Sequence, residues 1–148
     1  MKKQSYYYRV VDYRVIDGDT VDVHIDLGFS IIINKRIRFA NIDTEELRGG
    51  TDATKLRARH AKDVVDLYFQ HCNEIILETY MDATGKYGRV LGEFHCTNHK
   101  GEQLVLSEAL KNFGFEKGGV TTIDMDYSSK CLEELFNYYS LERDVEEK

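Results

Sequence analysis

A β-rich α+β fold is predicted by three features of the sequence. Segments rich in aromatic and β-branched residues recur along the first two thirds of the chain. Short Gly-, Asn- and Asp-containing turns separate them, and a helical stretch interrupts them after the third segment. Five short strands with a helix between the third and fourth is the order of an OB-fold, a small partly open five-stranded barrel. With about three helices in all and no internal repeat or linker, residues 1–148 are expected to form a single domain.

Tyr6 to Ile16 (YYYRVVDYRVI) has the composition of a first strand, and Asp17-Gly18 is a tight-turn signal. Thr20 to Leu27 alternates strictly. Val21, Val23, Ile25 and Leu27 take one face, and Asp22, His24 and Asp26 take the other. Gly28 to Ser30 is the next turn, and Ile31 to Phe39 is the third strand. Within it, Ile37 and Phe39 oppose Arg36 and Arg38.

Arg48-Gly49-Gly50 reads as a loop, with Thr51 or Asp52 placed to cap a helix from Ala53 to Gln70. The apolar stripe expected for that helix is Leu56, His60, Val64 and Leu67 or Tyr68. Glu74 to Tyr80 and Arg89 to His95 are the fourth and fifth strands, joined by a polar turn. A loop with Asn98 and Gly101 follows. Leu106, Ala109, Leu110 and Phe113 then keep helical spacing, with Gly114 as the residue that ends the helix. Leu132, Leu135, Phe136 and Tyr139 predict a last helix, and the acidic tail over about 142–148 is expected to fray.

Composition excludes several classes. No run of ~18 apolar residues is present, so no transmembrane helix is expected. Met1-Lys2-Lys3 is not followed by an apolar signal segment, so a cytoplasmic protein is expected unless a leader was removed. The three cysteines, Cys72, Cys96 and Cys131, are too few and too scattered for a disulfide framework. His95-Cys96-Thr97-Asn98-His99 lacks a second ligand pair at zinc-site spacing. The net charge of −6 argues against a general polyanion-binding surface, but its distribution is uneven. Residues 1–60 carry 11 Lys/Arg against 9 Asp/Glu, whereas residues 61–148 carry 9 against 17. Any nucleic-acid contact should lie mainly on the first half.

Three motifs carry chemistry. Arg36 to Glu46 (RIRFANIDTEE) sets guanidiniums, which grip phosphate bidentately, a few residues before a knot of oxygen ligands suited to a hard cation. By itself it is also compatible with a surface strand and an acidic turn. Val15 to Thr20 (VIDGDT) is a hairpin turn with an additional carboxylate, Asp19. Beside Asp43, Asp19 would complete a two-carboxylate seat for a divalent cation. Lys86-Tyr87-Gly88-Arg89 is a basic turn that could bring Arg89 opposite Arg38 across a phosphate, with Tyr87 free to bond or stack.

In order and spacing, VIDGDT, RFxxIDTxE and KYGR resemble the staphylococcal nuclease (thermonuclease) family. Ser107 to Phe115 (SEALKNFGF) resembles that family's NEALxxxGx segment. The likeness runs from about Tyr7 to Phe115. It implies a calcium-dependent nuclease on an OB-fold with three helices, acting on DNA or RNA as a monomer, on single-stranded or unpaired regions. It further implies that Asp19 and Asp43 are calcium carboxylates and that Thr44 gives the metal a backbone carbonyl. Glu46 would orient or deprotonate the attacking water, Arg38 and Arg89 would hold the phosphate, and Lys86 and Tyr87 would contact a nucleotide phosphate. Departures from the family pattern are Glu45 in place of a common proline, a longer first hairpin, no tyrosine over Gly118 to Val120, and the acidic balance. An OB-fold module that binds nucleic acid without cutting is the alternative. A protein-interaction domain built on the acidic half is a third, although no spacing there marks a partner groove.

Overall fold

The computed structural model describes residues 5–84, 90–112 and 114–118. Its strands are β1 (Ser5–Asp17), β2 (Thr20–Asp26), β3 (Ile32–Phe39), β4 (Cys72–Thr84), β5 (Val90–Asn98) and β6 (Gln103–Val105). Its helices are α1 (Asp52–Gln70) and α2 (Leu106–Asn112). The strand order is β3-β2-β1-β4-β5-β6, and a further pairing of β3 with β5 closes the first five into a ring. That closing pair is parallel and short, Ile37–Phe39 against Val90–Gly92, whereas the other pairings are antiparallel. The architecture is β-rich α+β and consistent with an OB-like fold. The third helix expected around Leu132 to Tyr139 lies outside the described residues.

Alternation explains which side of the ring is filled. Val21, Val23, Ile25, Ile37 and Phe39 point inward and are buried, as the sequence pattern predicts. Phe94 joins Phe39 to Phe69 of α1, each ring pair having centroids 5.3 Å apart. Burying a side chain of this size contributes about 1.5–3 kcal/mol. Gly92 sits where the ring closes. A Cβ there would lie 2.7 Å from Leu77 Cδ1 and 3.0 Å from the Glu78 carbonyl oxygen, so only glycine admits the neighbouring strands so closely.

Helix α1 begins at Thr51, whose hydroxyl accepts from Thr54 N, while the Thr54 side chain accepts from Thr51 N to complete a capping box. Its inward stripe is Ala58, Ala61, Val64, Val65, Tyr68 and Phe69. This corrects the expected stripe. Val64 and Tyr68 belong to both, but Leu56 stands 55% exposed. The small Ala58 and Ala61 let the helix approach the sheet where leucine could not. α2 ends as expected, at a left-handed Gly114 (φ 81°), with Phe115 N donating to the Leu110 carbonyl.

Two connections differ from expectation. Asn98, placed in a loop by sequence, ends β5, and its Oδ1 accepts from Lys100 N and Glu102 N to turn the chain into the unforeseen β6. Leu27 lies beyond the end of β2 and is exposed. After it, Gly28, Phe29 and Ser30 all have positive φ (81°, 54° and 62°), and Phe29 is 97% exposed. Leu27 N to Ile31 O and Gly28 N to Asp26 Oδ1 close this turn.

Candidate functional site

The hairpin between β1 and β2 carries Asp19 into a buried position because its neighbour is glycine. A Cβ on Gly18 would lie 2.6 Å from Ala61 Cβ and 2.9 Å from Thr44 Oγ1. The turn therefore rests directly on α1 and on the 43–46 segment. Asp19, with its side chain 10% exposed, accepts from Thr20 Oγ1 through Oδ1 and from Thr44 N through Oδ2, both at 3.0 Å.

Arg38 approaches from the end of β3. Its NH1 donates to the carbonyls of Phe39 (2.8 Å) and Ile42 (2.7 Å), which fixes the guanidinium against the turn that follows its own strand. Its NH2 lies 2.6 Å from Asp43 Oδ1 and 3.3 Å from Asp19 Oδ2. Two carboxylates from separate connections thus converge on one cationic nitrogen. Asp43 is largely exposed, so the pair opens to solvent on one side.

The acidic segment is held from behind. Lys117 N donates to the Asp43 carbonyl, and Thr44 forms an isolated bridge with Glu116. Gly118 N donates to Glu45 Oε1. From α1, Arg57 NH2 donates to the Gly114 carbonyl and, at 3.0 Å, to that of Glu116. Thr44 Oγ1 is buried and has no hydrogen-bond partner among the described residues. Glu46 is exposed at the end of the segment.

A second support comes from β5. Glu93 is buried, and its Oε2 accepts from Ser107 Oγ of α2 and from Asn41 Nδ2, both at 2.6 Å. Asn41 precedes the Ile42 carbonyl that Arg38 grips, so this buried contact ties α2 to the turn of the site.

Of the expected residues, the structure brings together Arg38, Asp19, Asp43 and Thr44, with Glu46 two residues beyond Thr44 on the same segment. Lys86, Tyr87 and Arg89 lie outside the described residues. Sequence reasoning passed over three participants. Asp17 is half-buried, and its carboxyl is raised above the ordinary aspartate range by burial first and then by the charges of Asp19 and Glu46. Lys62 of α1 and a hydrogen bond from the Leu47 backbone oppose that rise. Asp17 stands two residues before Asp19 in VIDGDT, and that spacing was the available signal. Glu93 and Ser107 had none, because their contact joins residues 14 apart across a strand, a hairpin and a helix.

The donor set fits a hard cation in kind: all-oxygen, with two carboxylates already converging on one positive group. Among the described residues, no three His, Cys, Asp or Glu side chains group tightly enough to form a metal site by themselves. Any ion here would need backbone carbonyl and water oxygens to fill its shell. No known family model matches the chain, and no curated protein is detectably similar to it.

Proposed function

We propose that the chain is a calcium-dependent nuclease of the staphylococcal nuclease type, its strand ring an OB-fold barrel, hydrolysing phosphodiester bonds of DNA or RNA. The observation that carries this reading is the convergence of Asp19 and Asp43 on the Arg38 guanidinium, with Glu46 on the same segment. A phosphodiester is an anion whose charge grows at the equatorial oxygens as water attacks. Fixed cations aimed at those oxygens, together with one carboxylate to take the proton of water, are the minimum the reaction requires.

Each residue then has a part. Glu46 accepts a proton from the attacking water as its oxygen bonds to phosphorus, and the bond to the leaving oxygen breaks, that oxygen taking a proton from solvent water to leave as the alcohol. Arg38 and Arg89 bind the non-bridging oxygens, and Lys86 and Tyr87 contact a flanking phosphate. Asp19, Asp43 and the Thr44 carbonyl would hold calcium, which supplies electrophilic stabilisation of the phosphoryl group. The NH1 bonds to the Phe39 and Ile42 carbonyls keep Arg38 at the site whichever partner its NH2 takes.

The test is cleavage of labelled single-stranded DNA and RNA, with calcium and with excess chelator. A nuclease of this kind cuts only with calcium. Cleavage that persists in chelator would remove the metal from the reading. Binding without cleavage under both conditions would establish the alternative, a nucleic-acid-binding module.

A further inference from the structure

The sheet face that bears Arg38 continues away from the site along the β2–β3 hairpin. Arg38 pairs with Thr20, and the next row on the same face sets Arg36 opposite Asp22, with Arg14 of β1 on the far side of Asp22. Arg36 donates to both Asp22 oxygens, from Nε at 2.6 Å and NH2 at 3.0 Å, and Arg14 NH2 reaches Oδ2 at 3.3 Å. One carboxylate therefore orients two guanidiniums side by side. Each guanidinium has five N–H donors, and Asp22 takes only a minority of the total.

Arg14, Asp22 and Arg36 line a concavity of about 690 Å³ with Tyr13, His24, Asn34 and Lys35. On this face Arg14 and Arg36 stand against Asp12 and Asp22, so the cations hold local balance on a chain whose net charge is −6, and Lys35, paired with Val23, starts from the other face of β3. The concavity's size suits a nucleotide rather than a duplex. The backbone positions of Arg36 and Arg38, two residues apart on one strand, are about 6.6 Å apart, so their side chains rise from neighbouring rows of one face.

We propose that this concavity is a second phosphate-binding subsite, in which Arg14 and Arg36 hold a single-stranded nucleic acid beyond the nucleotide at Arg38. The proposal rests on the reading of the Arg38 site as one that receives a phosphodiester. Asp22 serves the subsite by holding both guanidiniums in place, so that a phosphate meets preset donors.

The experiment measures binding of a labelled single-stranded oligonucleotide by the full chain in chelator, where calcium-dependent cutting is off, as a function of salt. The double variant Arg14→Ala/Arg36→Ala should bind at least about tenfold more weakly. Its plot of log affinity against log salt should be shallower by about 1.4, the value for two lost phosphate contacts on a single strand. The control is Lys55→Ala/Arg59→Ala, two exposed cations of α1 outside the concavity, with both variants checked for unchanged melting. An unchanged affinity and slope in Arg14→Ala/Arg36→Ala, an equal loss in the control, or no binding by the wild type overturns the subsite. Binding that falls only in Arg14→Ala/Arg36→Ala supports it, even where calcium produces no cleavage. In that outcome the nuclease reading alone fails.

Discussion

The Arg38 guanidinium lies 2.6 Å from the Asp43 carboxylate, across a turn whose Phe39 and Ile42 carbonyls the same guanidinium also holds. Arg38 is thus both the brace of the 40–43 turn and the cation of the site. Arg38→Lys keeps the charge but not the planar fork, and an ammonium cannot serve two carbonyls and two carboxylates in the same plane. Turnover should fall by on the order of 10²-fold, as for loss of one oxyanion donor. The variant should also melt at lower temperature, since the part-buried bonds from the charged donor to the Phe39 and Ile42 carbonyls, about 1.5–3 kcal/mol each, are weakened. Steady-state kinetics and thermal melts on the same preparation check both; near-normal kcat in a folded variant would reduce Arg38 to a structural brace.

Glu46 and Glu45 differ in what they touch. Glu45 accepts from Gly118 N, while Glu46 is exposed at the end of the acidic segment, where its charge acts on Asp17. Glu46→Gln should lower turnover by about 10²–10⁴-fold with oligonucleotide Kd nearly unchanged, because an amide cannot accept the proton of water. Glu45→Gln keeps an oxygen for Gly118 N and should change turnover only modestly. Measuring kcat and Kd of both in saturating calcium decides the matter. Equal losses would mean that charge on the segment matters and Glu46 has no role of its own.

Asp17 makes the site unfavourable for the fold. Its folded-state pKa is raised, so the folded chain binds that proton more tightly than the unfolded chain does. Its ionised form therefore costs stability. The cost is absent below the unfolded value near 3.8, grows as pH rises through the folded value, and is constant above it. Asp17→Asn should raise the melting temperature at pH 7 in chelator, and its advantage should shrink as the pH is lowered toward 3.8. A variant no more stable than wild type at pH 7 would show that Lys62 and the Leu47 backbone already offset the repulsion.

Gly18 connects packing to chemistry. Its added Cβ in Gly18→Ala would meet Ala61 Cβ at 2.6 Å and Thr44 Oγ1 at 2.9 Å, so α1 and the acidic segment must both move. Overpacking of this kind costs about 1–3 kcal/mol. Because Thr44 N is the donor to Asp19, calcium affinity should weaken along with stability. Titrating calcium by the rise in melting temperature measures both effects. Lost stability with unchanged affinity would separate the turn from the proposed metal seat.

The sequence by itself determined the alternation of β2 and of the end of β3, a cap at Thr51 or Asp52, and the close of α2 at Gly114; the structure chose Thr51. Those features depend on near neighbours. A strand alternates because successive side chains point to opposite faces, and a helix begins where its first amides find an oxygen. Only the tertiary structure decided the rest. It chose an α1 stripe that includes Ala61, because there the helix approaches the Gly18 turn, 43 residues earlier in the chain. It closed the strand ring at Gly92, half-buried Asp17 within reach of the charges of Asp19 and Glu46, and tied Glu93 to Ser107 and Asn41. Burial and charge–charge coupling act through space between residues far apart in sequence, and local periodicity carries no record of which distant groups will meet.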